Sequence, residues 1–196
     1  MRQVVIATGN LHKVREFQEI LEPYGIALLT PDAAGGLPEV EETGTTFEAN
    51  AILKAESACA HTGLWAIADD SGIEALGLGG IPGVYSARYA GEPCDDQANN
   101  RKLSTALQAV PDRRVQYVCA IALARPSEPT ATWRGTFSGQ FVDDAQGNGG
   151  FGYDPHVWID DCQCTVAQMS AAEKHRRSHR GHALRACVEW LAKLKG

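Results

Sequence analysis

Two hydrophobic rhythms run through the first third of the chain. A β-branched apolar run at 2–7 predicts a strand, which Thr8-Gly9-Asn10 breaks. Over 11–22, Val14, Phe17 and Leu21 recur at helical spacing, and Asn10 is a suitable N-cap for that helix. Pro23-Tyr24-Gly25 ends it, and 26–29 predicts a second strand. In Thr45-Thr46-Phe47-Glu48 the spacing predicts a capping box, with Thr45 as N-cap and Glu48 at its third position, opening a helix that ends near His61. Ala66-Ile67-Ala68 is a short apolar run that stops at Asp69-Asp70-Ser71-Gly72. It predicts a buried strand with both carboxylates at its C-terminal edge, where open α/β sheets place their ligands.

The remainder predicts a glycine-rich turn at 77–83, a helix at 95–109 and an apolar strand at 115–124. A hairpin-length loop at 126–129 leads to a glycine-interrupted strand at 130–142, with a bulge as one reading of the glycines. That adds an antiparallel element beside the βα units. Leu184, Val188, Leu191 and Leu194 mark a final amphipathic helix. No repeat or separable linker divides the chain, so one α/β domain spanning 1–196 is expected.

Composition narrows the partners. The hydrophobic fraction of 44% and charged fraction of 21% are those of a globular protein. Lys plus Arg number 18 against 24 Asp plus Glu, and the net charge of −6 argues against bulk binding of nucleic acid. No apolar run approaches the ~20 residues of a membrane span. The start turns polar after Ala7, so no signal peptide and a cytoplasmic location are expected. Six cysteines without a C-x-x-C pair read as free thiols in a reducing compartment, and Cys162-Gln163-Cys164 lacks zinc-site spacing.

Six places carry candidate chemistry. Asp69 and Asp70 suit Mg²⁺, a hard cation that takes carboxylate and phosphate oxygen; the plainer reading is a solvated turn. Glu39, Glu41 and Glu42 form an acidic loop that either is solvated or completes a metal site begun by Asp70. Thr8-Gly9-Asn10-x-x-Lys13 reads as an anion-binding turn at a helix start, distinct from a Walker A loop, or as a surface lysine on a capped helix. Lys54 either reaches a phosphate or is an exposed helical lysine. The loop from Gly147 to Pro155 offers Phe151 and Tyr153 as aromatic faces among glycines, or a structural turn. The tail from Glu173 to Arg185 is locally basic, with Ser178-His179-Arg180-Gly181 facing a ligand and His175, His179 and His182 as hydrogen-bonding groups.

Taken together and in order, seven motifs resemble one family. They are Thr8-Gly9-Asn10-x-x-Lys13, Glu41-Glu42-Thr43-Gly44-x-x-Phe47, Asn50-Ala51-x-x-Lys54-Ala55 and Ala68-Asp69-Asp70-Ser71-Gly72, then Tyr85-Ser86-Ala87-Arg88-Tyr89, Gly150-Phe151-Gly152-Tyr153-Asp154-Pro155 and Ser178-His179-Arg180-Gly181. The chain resembles the Ham1/inosine triphosphate pyrophosphatase family over essentially its whole length. The resemblance implies a mixed α/β fold, with a long twisted sheet, flanking helices and two lobes around a central cleft. It implies a homodimer and Mg²⁺-dependent hydrolysis of ITP, dITP and XTP to the monophosphate and pyrophosphate.

By the same resemblance Asp70 is the catalytic base and a metal ligand, with Glu41 or Glu42 as the second ligand and Asp69 in support. Thr8, Gly9, Asn10 and Lys13 hold the phosphates, assisted by Lys54, and Ser71 contacts substrate beside the base. Phe151 stacks on the purine, with Gly152, Tyr153 and Asp154 shaping that pocket. Lys174, His179 and Arg180 read the base edge. Arg88 is assigned to dimer or loop structure. Three other readings stand beside this one: a Maf-like pyrophosphatase for modified pyrimidine nucleotides, a non-catalytic nucleotide-binding module, and a nucleic-acid binder using the basic tail.

Overall fold

The computed structural model describes residues 3–194. Its strands and helices follow in the order β1 (Gln3–Ile6), α1 (Leu11–Leu21), β2 (Ala27–Leu29), α2 (Phe47–Thr62), β3 (Ala66–Ala75), α3 (Asp96–Leu107), β4 (Arg114–Arg125), β5 (Glu128–Phe141), β6 (Val157–Ile159), β7 (Cys164–Thr165), α4 (Ala171–Arg177) and α5 (His179–Lys193). Seven strands are hydrogen-bonded in the order β2-β1-β3-β4-β5-β6-β7. β1 pairs in parallel with β2 and β3, whereas β5–β6 and β6–β7 are antiparallel, so the sheet is mixed as expected. Of the first predicted strand, Arg2 lies outside the described residues.

The chain divides into two compact units. The first takes in the chain up to Asp70, Cys119–Gly135 and the chain from His179. Its core joins Val4 and Ile6 of β1, Ile67 of β3 and Ile121 and Leu123 of β4 to Phe17 and Leu21 of α1 and Leu184 and Cys187 of α5. The helical spacing of Val14, Phe17 and Leu21 therefore does mark the buried face of α1. The second unit, Ser71–Val118 with Thr136–Ser178, is built on Ile73, Leu103, Leu107, Val115, Phe141 and Val157.

Local signals set several boundaries. Asn10 caps α1, its side-chain oxygen accepting the N–H groups of His12 and Lys13. α2 is capped by Thr46 rather than Thr45: the Thr46 hydroxyl accepts the Ala49 N–H, so the helix starts one residue later than the capping-box spacing predicts. It ends at Gly63, whose φ of 67° is the left-handed turn that glycine adopts without strain. The basic tail is two helices, broken at the extended residue Ser178.

Candidate active site

β3 does not stop at the paired carboxylates. It continues through Asp69-Asp70-Ser71-Gly72 to Ala75, so both acids sit in mid-strand. Asp-Ser-Gly is turn chemistry by local preference, but here β3 lies between β1 and the twelve-residue β4, and sheet pairing overrides that preference. Successive side chains of a strand point to opposite faces, so Asp69 and Asp70 meet different surroundings. Both are buried.

Asp69 meets the α1 and α5 side. Its Oδ2 accepts Arg180 Nη2 at 2.9 Å and Nε at 3.3 Å, and Lys13 Nζ lies 3.1 Å away. Arg180 Nη1 donates to Glu16, a buried acid of α1. Burial by itself pushes the Asp69 carboxyl upward, but the charges of Lys13, Arg180 and Lys54 outweigh it and hold the group far below the ordinary carboxylate range. Desolvation works against the Arg180 cation, and Asp69 and Glu16 more than reverse it.

Arg180, expected at the base edge, is drawn into the same cluster. It is 1% exposed, and each of its guanidinium nitrogens donates to a carboxylate of the first unit. In this structure Arg180 secures Asp69. Its neighbour His179 is buried in the same unit, whereas Lys174 belongs to the second.

Asp70 meets α2. Its Oδ2 accepts Asn50 Nδ2 at 3.1 Å, and its Oδ1 lies 3.3 Å from Lys54 Nζ. Lys54 also donates to Glu42 Oε1 at 2.6 Å, so one ammonium stands between two carboxylates. Burial raises the Asp70 carboxyl above its ordinary range; Glu42 adds to that, and Lys54, Lys13 and Asn50 oppose it. For Lys54, desolvation is outweighed by Asp70, Asp69 and Glu42, and its affinity for a proton rises. Glu41 is exposed, and its carbonyl accepts the Thr43 N–H. Of the two glutamates left open by the sequence, the structure brings Glu42 to Asp70.

A divalent ion fits this donor set. Two carboxylates already converge on a cation, and their mutual repulsion favours more positive charge between them. Among the described residues no group of three or more His, Cys, Asp and Glu forms a metal cage. Mg²⁺ does not require one, because it commonly takes one or two carboxylates and completes its shell with water and substrate phosphate. At the start of α1, the Thr8 hydroxyl accepts the Asn10 N–H at 3.2 Å, which with the Asn10 cap fixes the Thr8-Gly9-Asn10 turn above Lys13.

In the second unit, Asp154 organises the glycine loop. Its Oδ1 accepts the Tyr117 hydroxyl at 2.9 Å, and its Oδ2 accepts Phe151 N–H at 2.9 Å and Lys174 Nζ at 2.8 Å. A Cβ at Gly150, where φ is 72°, would run into this carboxylate. Lys174 Nζ lies 4.8 Å from the centre of the Phe151 ring, a cation–π contact. Gly152 is held from α3, its N–H donating to Asp96 and its carbonyl accepting Asn100 Nδ2. Tyr153 is buried and donates its hydroxyl to the Ser86 carbonyl, and Ser71 is half-buried. Phe151 and Gly152 also line a cavity of about 720 Å³ with Asn100, Asp143 and His156. All six cysteines are free thiols.

Two participants were given no role from the sequence. Asn50 shares a helix face with Lys54 at i, i+4, a spacing visible in the sequence, but nothing local reveals that its amide reaches Asp70. Glu16 has the pattern of a surface acid on an amphipathic helix, and its partner is 164 residues away.

The sequence profile of the Ham1 family matches residues 4–190. A protein of Thioalkalivibrio sulfidiphilus named dITP/XTP pyrophosphatase is 50% identical over 195 residues, covering 96% of this chain and 98% of that one. Among solved structures, the Staphylococcus aureus Ham1 protein superposes with a TM-score of 0.88 at 40% identity, covering 98% of this chain and 99% of that one. A HAM1 protein from Coxiella burnetii gives 0.90 at 37%, covering 98% and 100%.

Proposed function

The chain belongs to the Ham1 family, and we propose that it hydrolyses the non-canonical purine nucleotides ITP, dITP and XTP to the monophosphate and pyrophosphate. The observation that carries this reading is the pair Asp70 and Glu42, converging from β3 and the acidic loop on the Lys54 ammonium. Two buried or half-buried carboxylates around one cation suit a metal-bound triphosphate. Mg²⁺, when bound, neutralises phosphate oxygens and acidifies a coordinated water. Glu42 and Asp70 are its proposed protein ligands.

The chain's own groups account for the other requirements. Water attacks the α-phosphorus, the bond from that phosphorus to the bridging oxygen breaks, and pyrophosphate departs. Asp70 accepts the proton of that water. Lys13 and Lys54, one on each side of the acid pair, supply positive charge to the phosphates. Phe151, its backbone and Lys174 both fixed by Asp154, offers a rigid aromatic platform for a purine. Lys174 donates toward a 6-keto oxygen, where adenine presents a donor instead. A homodimer and a cytoplasmic location remain part of the proposal; Leu76, Ile81 and Tyr85 are large apolar side chains left exposed in the second unit. No helix among the described residues is long and apolar enough to cross a membrane.

The test is pyrophosphate release from ITP, dITP, XTP, ATP, GTP and a modified pyrimidine triphosphate, with Mg²⁺ and with chelator. Release from the first three that needs Mg²⁺ is expected. Preference for the pyrimidine would move the protein to the Maf-like reading, and binding without release would make it a nucleotide-binding module.

A further inference from the structure

Asn50 is costly where it stands. Asparagine is a weak helix former, and this one is 1% exposed inside the first turns of α2. A buried amide has to be satisfied, and Asn50 is satisfied by two separate segments. Its Oδ1 accepts the Gly44 N–H at 2.8 Å, and its Nδ2 donates to Asp70 Oδ2 at 3.1 Å. Position 44 has to be small for this: a Cβ there would lie 2.5 Å from Asn50 Oδ1 and 2.8 Å from the Ala49 side chain. The backbone two residues after Glu42 is thus pressed onto the same helix turn that grips Asp70.

One turn further along α2, Lys54 contacts the same two segments through charge, at Glu42 Oε1 and Asp70 Oδ1. The two oxygens of Asp70 are divided between the two helix residues. Lys54 is the contact that a metal ion and a triphosphate compete for, because all three offer or seek charge in the same place. Asn50 is neutral and buried, and its amide carries no charge to exchange with an anionic ligand.

We propose that Asn50 is a positioning residue for the hydrolysis: its amide holds Asp70 Oδ2 and the Glu42 loop in one frame, so that Asp70 Oδ1 stays aimed at the reacting water and cation when Lys54 turns to the phosphates. This rests on the reading of Asp70 as base and ligand given above. Glycine at 44 and asparagine at 50 act as a single fitting, since either a larger residue at 44 or a shorter one at 50 opens the loop.

Two variants separate the parts of the fitting. Asn50→Asp keeps an acceptor for the Gly44 N–H but loses the donor to Asp70; Asn50→Ala loses both. Steady-state hydrolysis of ITP, melting temperature, and Mn²⁺ affinity measured by calorimetry without nucleotide are compared for both variants, the wild type and Asp70→Asn. Supporting residues of this kind are worth about 10- to 100-fold in activity or metal affinity. For folded Asn50→Asp, kcat is expected to fall by that factor with KM for ITP changed much less; Mn²⁺ affinity is read in Asn50→Ala, which adds no charge beside Asp70, and is expected to weaken there. Asn50→Ala is expected to lose at least as much kcat. A wild-type kcat in folded Asn50→Asp, with Asp70→Asn inactive, overturns the role of Asn50 alone. Near wild-type turnover by Asp70→Asn overturns the underlying assignment of Asp70. Loss of kcat that is fully accounted for by the unfolded fraction assigns Asn50 to stability only.

Discussion

Asp69 and Asp70 are consecutive residues of β3 whose carboxylates are held by different helices. α1 and α5 supply Lys13 and Arg180 to Asp69, and α2 supplies Asn50 and Lys54 to Asp70. The alternation of the strand makes this separation unavoidable once helices cover both faces. The consequence is chemical: one carboxyl is driven well below the ordinary range and its neighbour is raised above it.

Asp70→Asn is expected to lose activity without losing the fold. Removing a general base lowers kcat by about 10²- to 10⁴-fold. Burial and Glu42 disfavour the charged form of Asp70 in the folded protein, so the neutral amide is expected to melt at or above the wild-type temperature. Pyrophosphate release from ITP and a thermal melt check both parts.

Glu42→Gln and Glu41→Gln should differ. Glu42 pairs with Lys54, which also contacts Asp70, whereas Glu41 is exposed. The Mg²⁺ concentration giving half-maximal activity is expected to rise about 10- to 100-fold in Glu42→Gln and to stay near wild type in Glu41→Gln. Equal effects in a Mg²⁺ titration would reject the choice of Glu42.

Arg180→Ala takes from buried Asp69 and Glu16 a counter-charge that both of them share. Breaking a buried ion pair from one side costs about 3–5 kcal/mol. Urea unfolding is the measurement, and Arg180→Lys is expected to recover part of the loss. A shift in the ITP-to-ATP ratio of kcat/KM is informative only in a variant shown to be folded.

Acid stability should report Asp69. Its folded pKa is depressed, so its stabilising contribution is complete above the ordinary carboxylate value of about 3.9 and is lost as pH falls through that value toward the folded one. With chelator present, the urea midpoint of the wild type is expected to fall more steeply than that of Asp69→Asn as pH drops from 6 to 3. Parallel curves would show that Asp69 does not carry this dependence.

Phe151→Ala removes the aromatic face while leaving Asp154 and Lys174 in place. Base–aromatic stacking is worth about 1–3 kcal/mol by alanine substitution. The expected result is a rise in KM for ITP of about 5- to 150-fold with a smaller change in kcat. An unchanged KM would remove Phe151 from the base contact.

Capping and periodicity were legible because they act within a few residues. Asn10 closes α1 through N–H groups two and three residues on, and Val14, Phe17 and Leu21 face the core as their spacing requires. The same local view failed at Asp69-Asp70-Ser71-Gly72, where turn residues were carried straight on by a neighbouring strand. It also placed the α2 cap one residue early, since two adjacent threonines are equally good candidates until one hydroxyl meets the Ala49 N–H.

The sequence by itself determined the α/β class, most of its elements and the family resemblance, because hydrogen-bonding habits and hydrophobic spacing are written locally. Only the tertiary structure decided which acid keeps which partner. Arg180 reaches Asp69 across 111 residues and Asn50 reaches Asp70 across 20, and no pattern along the chain encodes either contact. Those pairings depend on which helix covers which face of β3, and that is settled by packing of the whole unit. The two carboxylates that read as one motif are, in the folded chain, two sites of opposite electrostatic character.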